Sequence, residues 1–190
     1  MKRRSFAFVL AAALSAAPAF AQGVVWSVDP VHSTAQFTAR HFGIVPVVGT
    51  IPITSASVTI SPGTQIPTSV VAILDAAKVD THFAMRDGDL RSEHFFDVAS
   101  TPEIRFVSTK IDGTDPKHFT ITGDLTMHGQ TRPVTLNAQV VTSGTTPRGR
   151  SVAAYAAAAT IDRTQWGMTY GPDIVGNDVD LAINVEADSP

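Results

Sequence analysis

The feature that most constrains this chain is an alternation of period two. Phe119, Ile121, Leu125 and Met127 share one parity, with Gly123 between them, and Thr120, Thr122, Asp124 and Thr126 hold the other. In an extended strand these sets point to opposite faces, whereas a helix would mix them. Val134, Leu136, Ala138 and Val140 repeat the pattern against Thr135, Asn137 and Gln139, and His128-Gly129-Gln130 separates the two runs. The pair is expected to form a hairpin. Near the C-terminus Val179, Leu181, Ile183 and Val185 face one way, while Asp178, Asp180, Asn184 and Glu186 mostly face the other. Further strands are expected at Val24–Val28, Thr34–His41, Val48–Ile60, Ser69–Val79, Glu103–Ile111 and Val152–Ile161. Eleven of the twelve prolines and all 13 glycines fall after residue 21 and punctuate the series at short intervals. About eight or nine strands with few helical intervals indicate an antiparallel sandwich or barrel rather than a βαβ fold.

Two segments depart from the pattern. Val152–Thr160 contains six alanines, which favour helix. Val152, Tyr155 and Ile161 and the preceding turn at Thr146–Gly149 favour a strand, whose small side chains would leave space inside a barrel. In Met85–Val98, Asp87-Gly88-Asp89 is a candidate helix start, with Leu90, His94 and Phe95 near one face at helical spacing. Such an insert would cross one end of a barrel and act as a cap.

Lys2, Arg3 and Arg4 precede an apolar run from Phe6 to Ala17, and Ala19-Phe20-Ala21 is a small-x-small cleavage pattern. This order is that of a secretory signal peptide cut after Ala21. The run is shorter than the roughly 20 residues of a membrane-spanning helix. Two regions follow: residues 1–21 as signal peptide and 22–190 as one β-domain. Loss of the leader removes three cations and leaves 11 Lys+Arg against 17 Asp+Glu, a formal charge of −6. That balance argues against nucleic acid as a partner, because displacing phosphate counterions needs clustered cations. Cysteine is absent, which excludes disulfides, thiolate metal sites and a cysteine nucleophile.

The six histidines, at 32, 41, 82, 94, 118 and 128, show no His-x-His or His-Glu-x-x-His spacing. They are read as making ordinary polar contacts, with no metal and no cofactor. His41 shares parity with Ala35, Phe37 and Ala39, so it is either a core histidine satisfied by backbone or a contact for a polar head group. No nucleophile elbow or phosphate-cradling glycine loop is present, and no catalytic residue is assigned. Asp87 and Asp89 have the positions of turn and cap residues, and Glu93-His94 is a weak acid–base pair. Arg86, Arg91 and Asp87 lie beside Phe83, Met85, Leu90, Phe95 and Phe96. They form either an internal ion pair holding an aromatic insert or a polar rim over an apolar cavity.

Several segments together resemble the YceI-like proteins. They are Val28-Asp29-Pro30-Val31-His32-Ser33 with Phe37 and Arg40-His41-Phe42-Gly43; Val79-Asp80-Thr81; Arg86 to Ser92 with Phe95-Phe96-Asp97; Pro102 to Phe106 with Ser108-Thr109; Thr122 to Gly129; and Ile161-Asp162-Arg163 with Gly167. They occur in family order over nearly the whole chain after the leader. Gly88 departs from the pattern, where members often carry a longer polar side chain. The resemblance implies an all-β, lipocalin-like, eight-stranded antiparallel β-barrel with a short helical insert and an elongated apolar cavity. It implies a periplasmic protein that binds polyisoprenoids, isoprenoid quinones or similar lipids, and that is often a homodimer. On this footing the candidate ligand contacts are Phe37, His41, Phe42, Phe83, Met85, Arg86, Asp87, Leu90, Phe95, Phe96, Phe106, Leu125, Trp166 and Met168. Two alternatives stand beside the carrier: an enzyme acting on a bound lipid through His41, Asp87 or His94, and an interaction protein with a filled core.

Overall fold

A computed structural model describes residues 23–190. The signal peptide expected at 1–21 lies outside the described residues. The chain runs β1 (Val24–His41), β2 (Val45–Thr50), β3 (Ile53–Ile60), β4 (Pro67–Asp75), α1 (Ala84–Arg91), β5 (Glu103–Asp115), β6 (His118–Met127), β7 (Gln130–Thr145), β8 (Ser151–Asp162) and β9 (Val175–Asp188). All strand pairs are antiparallel, and consecutive strands are neighbours from β3 to β9.

The long first strand closes the barrel. One edge of β1 pairs with β9 along most of its length. The other pairs at its start with β3, Val24 opposite Ile60, and at its end with β2, Phe37 opposite Gly49. Strands β2 and β3 therefore fill one position, and eight positions complete an eight-stranded barrel. The single strand expected over Val48–Ile60 is broken at Ile51-Pro52, where proline has no N–H to give to the ladder. The strand expected to reach Val79 ends at Asp75, whose carboxylate accepts the Ala77 amide and starts a 3-10 turn at Ala76–Lys78.

A bulge in β1 explains the Asp-Pro-Val-His-Ser segment. Asp29 pairs with Glu186 and Thr34 with Asn184, so Pro30–Ser33 loop out of the ladder. The Asp29 carboxylate accepts the Val31 and His32 amides and contacts His32 Nδ1 at 3.0 Å. Ser33 Oγ accepts the Glu186 amide, standing in for a lost backbone carbonyl. The Val31 and His32 amides in the bulge and the Glu186 amide opposite it thus find side-chain partners.

The alanine-rich segment is strand β8, paired with β9 from Val152 to Asp162 and with β7 from Ser151 to Ala158. Tertiary pairing overrides alanine's helical preference here. The connections fall at two ends. Residues 42–44, 76–102, 128–129 and 163–174 close one end, here the insert end. Residues 61–66, 116–117 and 146–150 close the other. Among the described residues, no helix is long and apolar enough to cross a membrane.

Candidate functional site

The inward rows of the barrel enclose a cavity of about 230 Å³. Its wall draws on every strand position. Ala35, Phe37 and Ala39 come from β1, Ala72 and Leu74 from β4, and Ile104 and Phe106 from β5. Ile121 and Leu125 come from β6, Leu136 and Ala138 from β7, Ala157 and Ile161 from β8, and Val179 and Leu181 from β9. The residues that alternate with these face outward, so period two in the sequence becomes an apolar interior. Alanines set against rings leave the middle open. Ala157 pairs with Ala138 on one side and Ile183 on the other, and no large side chain from β8 crosses the barrel at that level.

The insert covers one end. Helix α1 begins at Ala84, three residues before Asp87, and ends at Arg91, so His94 and Phe95 lie beyond it in the turns that follow. A start at Asp87 was expected; tertiary anchoring moves it. The Asp87 carboxylate accepts both the Thr81 amide at 2.8 Å and the Thr81 hydroxyl at 2.5 Å. Arg86 donates to Thr81 Oγ1 and to its carbonyl. The polar trio ties the front of the helix to the barrel, and the exposed Gly88 does not interrupt it. Leu90, Phe95 and Phe96 point into the cavity. Outside them Tyr170 stacks on His94 at 3.9 Å and meets Phe95 edge-on at 6.0 Å.

The hydroxyl of Thr81 holds the Asp87 carboxylate below the ordinary aspartate range, with the Thr81 amide and the Arg91 and Arg86 charges adding to the effect against the cost of burial. With a depressed folded pKa, its contribution is complete above the ordinary aspartate value and is lost as pH falls through the folded one. Asp87→Ala should lower stability by about 2 kcal/mol near neutral pH, because two buried donors lose their acceptor. In urea titrations the gap between variant and parent should shrink as pH falls below the ordinary aspartate range and the carboxylate protonates. An unchanged gap would remove Asp87's charge from the account.

At the far end Tyr155, from β8, donates to the Gln65 carbonyl at 2.9 Å. Burial pushes its phenol up to about 12, so it remains a neutral hydrogen-bonded plug.

Of the residues singled out from sequence, Phe37, Leu90, Phe95, Phe96, Phe106, Leu125 and Met168 line the cavity. Trp166 is 1% exposed and lies behind the wall, its indole N–H donating to the Leu125 carbonyl. His41, Phe42, Phe83 and Met85 are exposed around the insert end, and His41 tilts against Phe42 at 4.1 Å. Arg86 and Asp87 serve the Thr81 anchor. No ion pair joins Arg86 to Asp87 among the described residues; threonine stands between them. His41, Asp87 and His94 are not part of the cavity wall. Sequence reasoning passed over Tyr155 and Arg163 as site residues, although Tyr155 shares parity with the inward Ala157 and Ile161. It also left unnamed the inward rows of β7 and β9, which alternation alone marked.

Asp29, His32 and Glu186 bring ligand-type atoms within 4.8 Å of one another. The Asp29 carboxylate is already engaged by two amides and the imidazole, and His32 is exposed. This trio is accounted for by the bulge.

The model of the YceI-like domain family matches residues 26–187. The chain belongs to the YceI-like family. A UPF0312 protein of Pseudomonas savastanoi pv. phaseolicola is 31% identical over 175 residues, covering 92% of this chain and 91% of that protein. One from Enterobacter is 33% identical over 157 residues, covering 82% and 80%. Among solved structures, BcnA of Burkholderia cenocepacia superposes with a TM-score of 0.73 at 22% identity, over 84% of this chain and 98% of that one. A polyisoprenoid-binding domain from Saccharophagus degradans gives 0.61 at 15% identity, over 87% and 98%. At these identities the structures speak to the fold, a lipocalin-like barrel with one short helix.

Proposed function

We propose that this protein is a periplasmic carrier or sequestering protein for a long, narrow apolar ligand such as a polyisoprenoid, an isoprenoid quinone or a similar lipid. The observation that carries the reading is a cavity lined almost throughout by hydrocarbon, running between the Phe95 and Tyr155 ends of a closed barrel. The Saccharophagus neighbour, a polyisoprenoid-binding domain by name, supports the ligand class. The leader-like Lys2–Ala21 segment supports export.

Burying each methylene contributes about 0.8 kcal/mol, so a five-carbon prenyl unit contributes roughly 3 kcal/mol before ordering costs. Such a cavity binds by area and discriminates by length and width. No proton transfer or bond cleavage is needed, and the acid–base candidates lie away from the wall. Binding is therefore favoured over turnover.

The test is a length series. Ala157→Phe places a ring at the open middle level of the barrel. Affinity for long polyprenols and quinones should fall at least about tenfold, because several buried methylenes are lost. Affinity for chains short enough to occupy one side should change little. An equal change for every length would contradict a through-running cavity.

A further inference from the structure

The cavity stops at Tyr155, but the interior of the barrel does not. A second, groove-like space of about 250 Å³ lies beyond it at the far end, with Trp26, Ile60, Gln65, Ser143 and Ala153 in its wall. Three inward rows cross from one space to the other. On β1 Val28 lines the cavity and Trp26 the groove, and on β3 Val58 lines the cavity and Ile60 the groove. On β8 Ala157 lines the cavity and Ala153 the groove. The members of each pair are an even number of residues apart, so they share a face of their strand. The groove is therefore the last level of the same barrel interior. Among the described residues, Tyr155 alone belongs to both walls.

Tyr155 is held as a bar between the two spaces. Its neighbours of the same parity on β8, Ala153, Ala157 and Ala159, are all small, so it carries the one ring in that stretch of the row. Its hydroxyl donates to the Gln65 carbonyl in the 61–66 connection at 2.9 Å, and Gln65 Nε2 donates to Ser143 Oγ on β7 at 2.6 Å. The bar thus runs from β8 through the connection to β7, and the tyrosine is 7% exposed. A ring that merely filled the core would have packed side chains on both sides. This one has open space on both.

We propose that Tyr155 is the length stop of the binding cavity: a bound apolar chain ends against its ring and does not enter the groove behind it. The preferred ligand then has an upper limit of chain length, set by one side chain. This deepens the carrier reading and rests on the cavity being the ligand site. One further level of the interior is two residues of strand. At a rise of about 3.3 Å per residue and a tilt near 40°, that adds roughly 5 Å along the barrel axis. Opening the bar therefore gives a chain room on the order of one more prenyl unit.

Two experiments test the inference. The first measures affinity for all-trans polyprenols that lengthen one unit at a time. In the parent, affinity should rise with each unit up to a limit and then stop rising. Tyr155→Ala should keep the affinity for chains too short to reach the ring within about threefold. It should move the limit up by one unit, with a gain of about tenfold or more at the first length beyond the parental limit. Tyr155→Phe keeps the ring and should keep the limit. A parent without a limit, an unchanged limit in Tyr155→Ala, or an equal shift in Tyr155→Phe would overturn the proposal.

The second leaves Tyr155 in place, in case Tyr155→Ala unfolds the far end. Ala153→Leu narrows the groove behind the ring. With Tyr155 present, affinity should stay within about twofold of the parent at every length. A selective loss for the longest chains would show that they pass Tyr155, and would overturn the stop while leaving binding intact. In Tyr155→Ala protein the same leucine should bring the limit back to the parental one. Binding of no polyprenol of any length by the folded parent would instead remove the ligand-site reading itself, and the inference with it.

Discussion

Phe106→Arg should abolish ligand binding, with a loss of at least about a hundredfold, whereas Thr120→Arg should leave affinity within about twofold. Phe106 is on β5 between Ala72 and Leu125, 7% exposed, with its ring in the cavity wall. An arginine there puts an unpaired cation into hydrocarbon and removes the surface a prenyl chain would touch. Thr120 is on the outward parity of β6, between Asp112 and Asn137. An arginine at that position reaches water and finds an acidic neighbour. A fluorescent-lipid displacement assay on both variants, each checked for its β-sheet signal, reads the difference. Equal affinities would contradict the assignment of inward and outward faces.

Gly123→Ala should destabilise the barrel by about 2–4 kcal/mol, a large effect for a single methyl group. Gly123 occupies an inward position between Ile121 and Leu125. A Cβ there would lie 2.4 Å from Phe106 Cζ and 2.6 Å from the Val107 carbonyl oxygen. The ring of Phe106 lies over the glycine and uses the space that a side chain would fill. Adding Phe106→Leu should restore only part of the loss, because the clash with the backbone oxygen remains. Urea unfolding of the single and double variants measures this. A Gly123→Ala protein of parental stability would show that β5 and β6 are not packed as described.

The barrel was legible in the sequence because its core positions repeat every second residue. Phe119 to Met127 and Val179 to Val185 announce their inward faces without any tertiary information. The alanine-rich β8 was readable from its flanks despite its helical preference. What escaped had long-range causes. Pro52 marks the break locally, but that the two pieces, β2 and β3, share one edge of β1 is a pairing no local pattern encodes. The start of α1 depends on Asp87 reaching back to Thr81, a contact set by folding of the insert onto the barrel.

The candidate site was legible to a similar degree. Aromatic residues on inward strands, such as Phe37 and Phe106, could be named from parity. Phe83 and Met85 share an aromatic-rich segment with Phe95 and Phe96, yet only the latter pair turns inward; the direction of a side chain in a short insert depends on its anchors. Arg163 was visible as part of an Ile-Asp-Arg motif. Its position against the cavity depends on the Met168 carbonyl in the following connection and on the Val175 and Gly176 carbonyls at the start of β9.

The most direct test of the central claim is the native mass of the protein purified without detergent, before and after solvent extraction. A carrier should lose a discrete, stoichiometric mass that matches a polyisoprenoid, a quinone or another long-chain lipid, and should regain it on incubation with that lipid. A bare protein mass that stays bare after incubation with quinones, polyprenols and long-chain acids would contradict the account and leave a barrel that binds nothing in its interior.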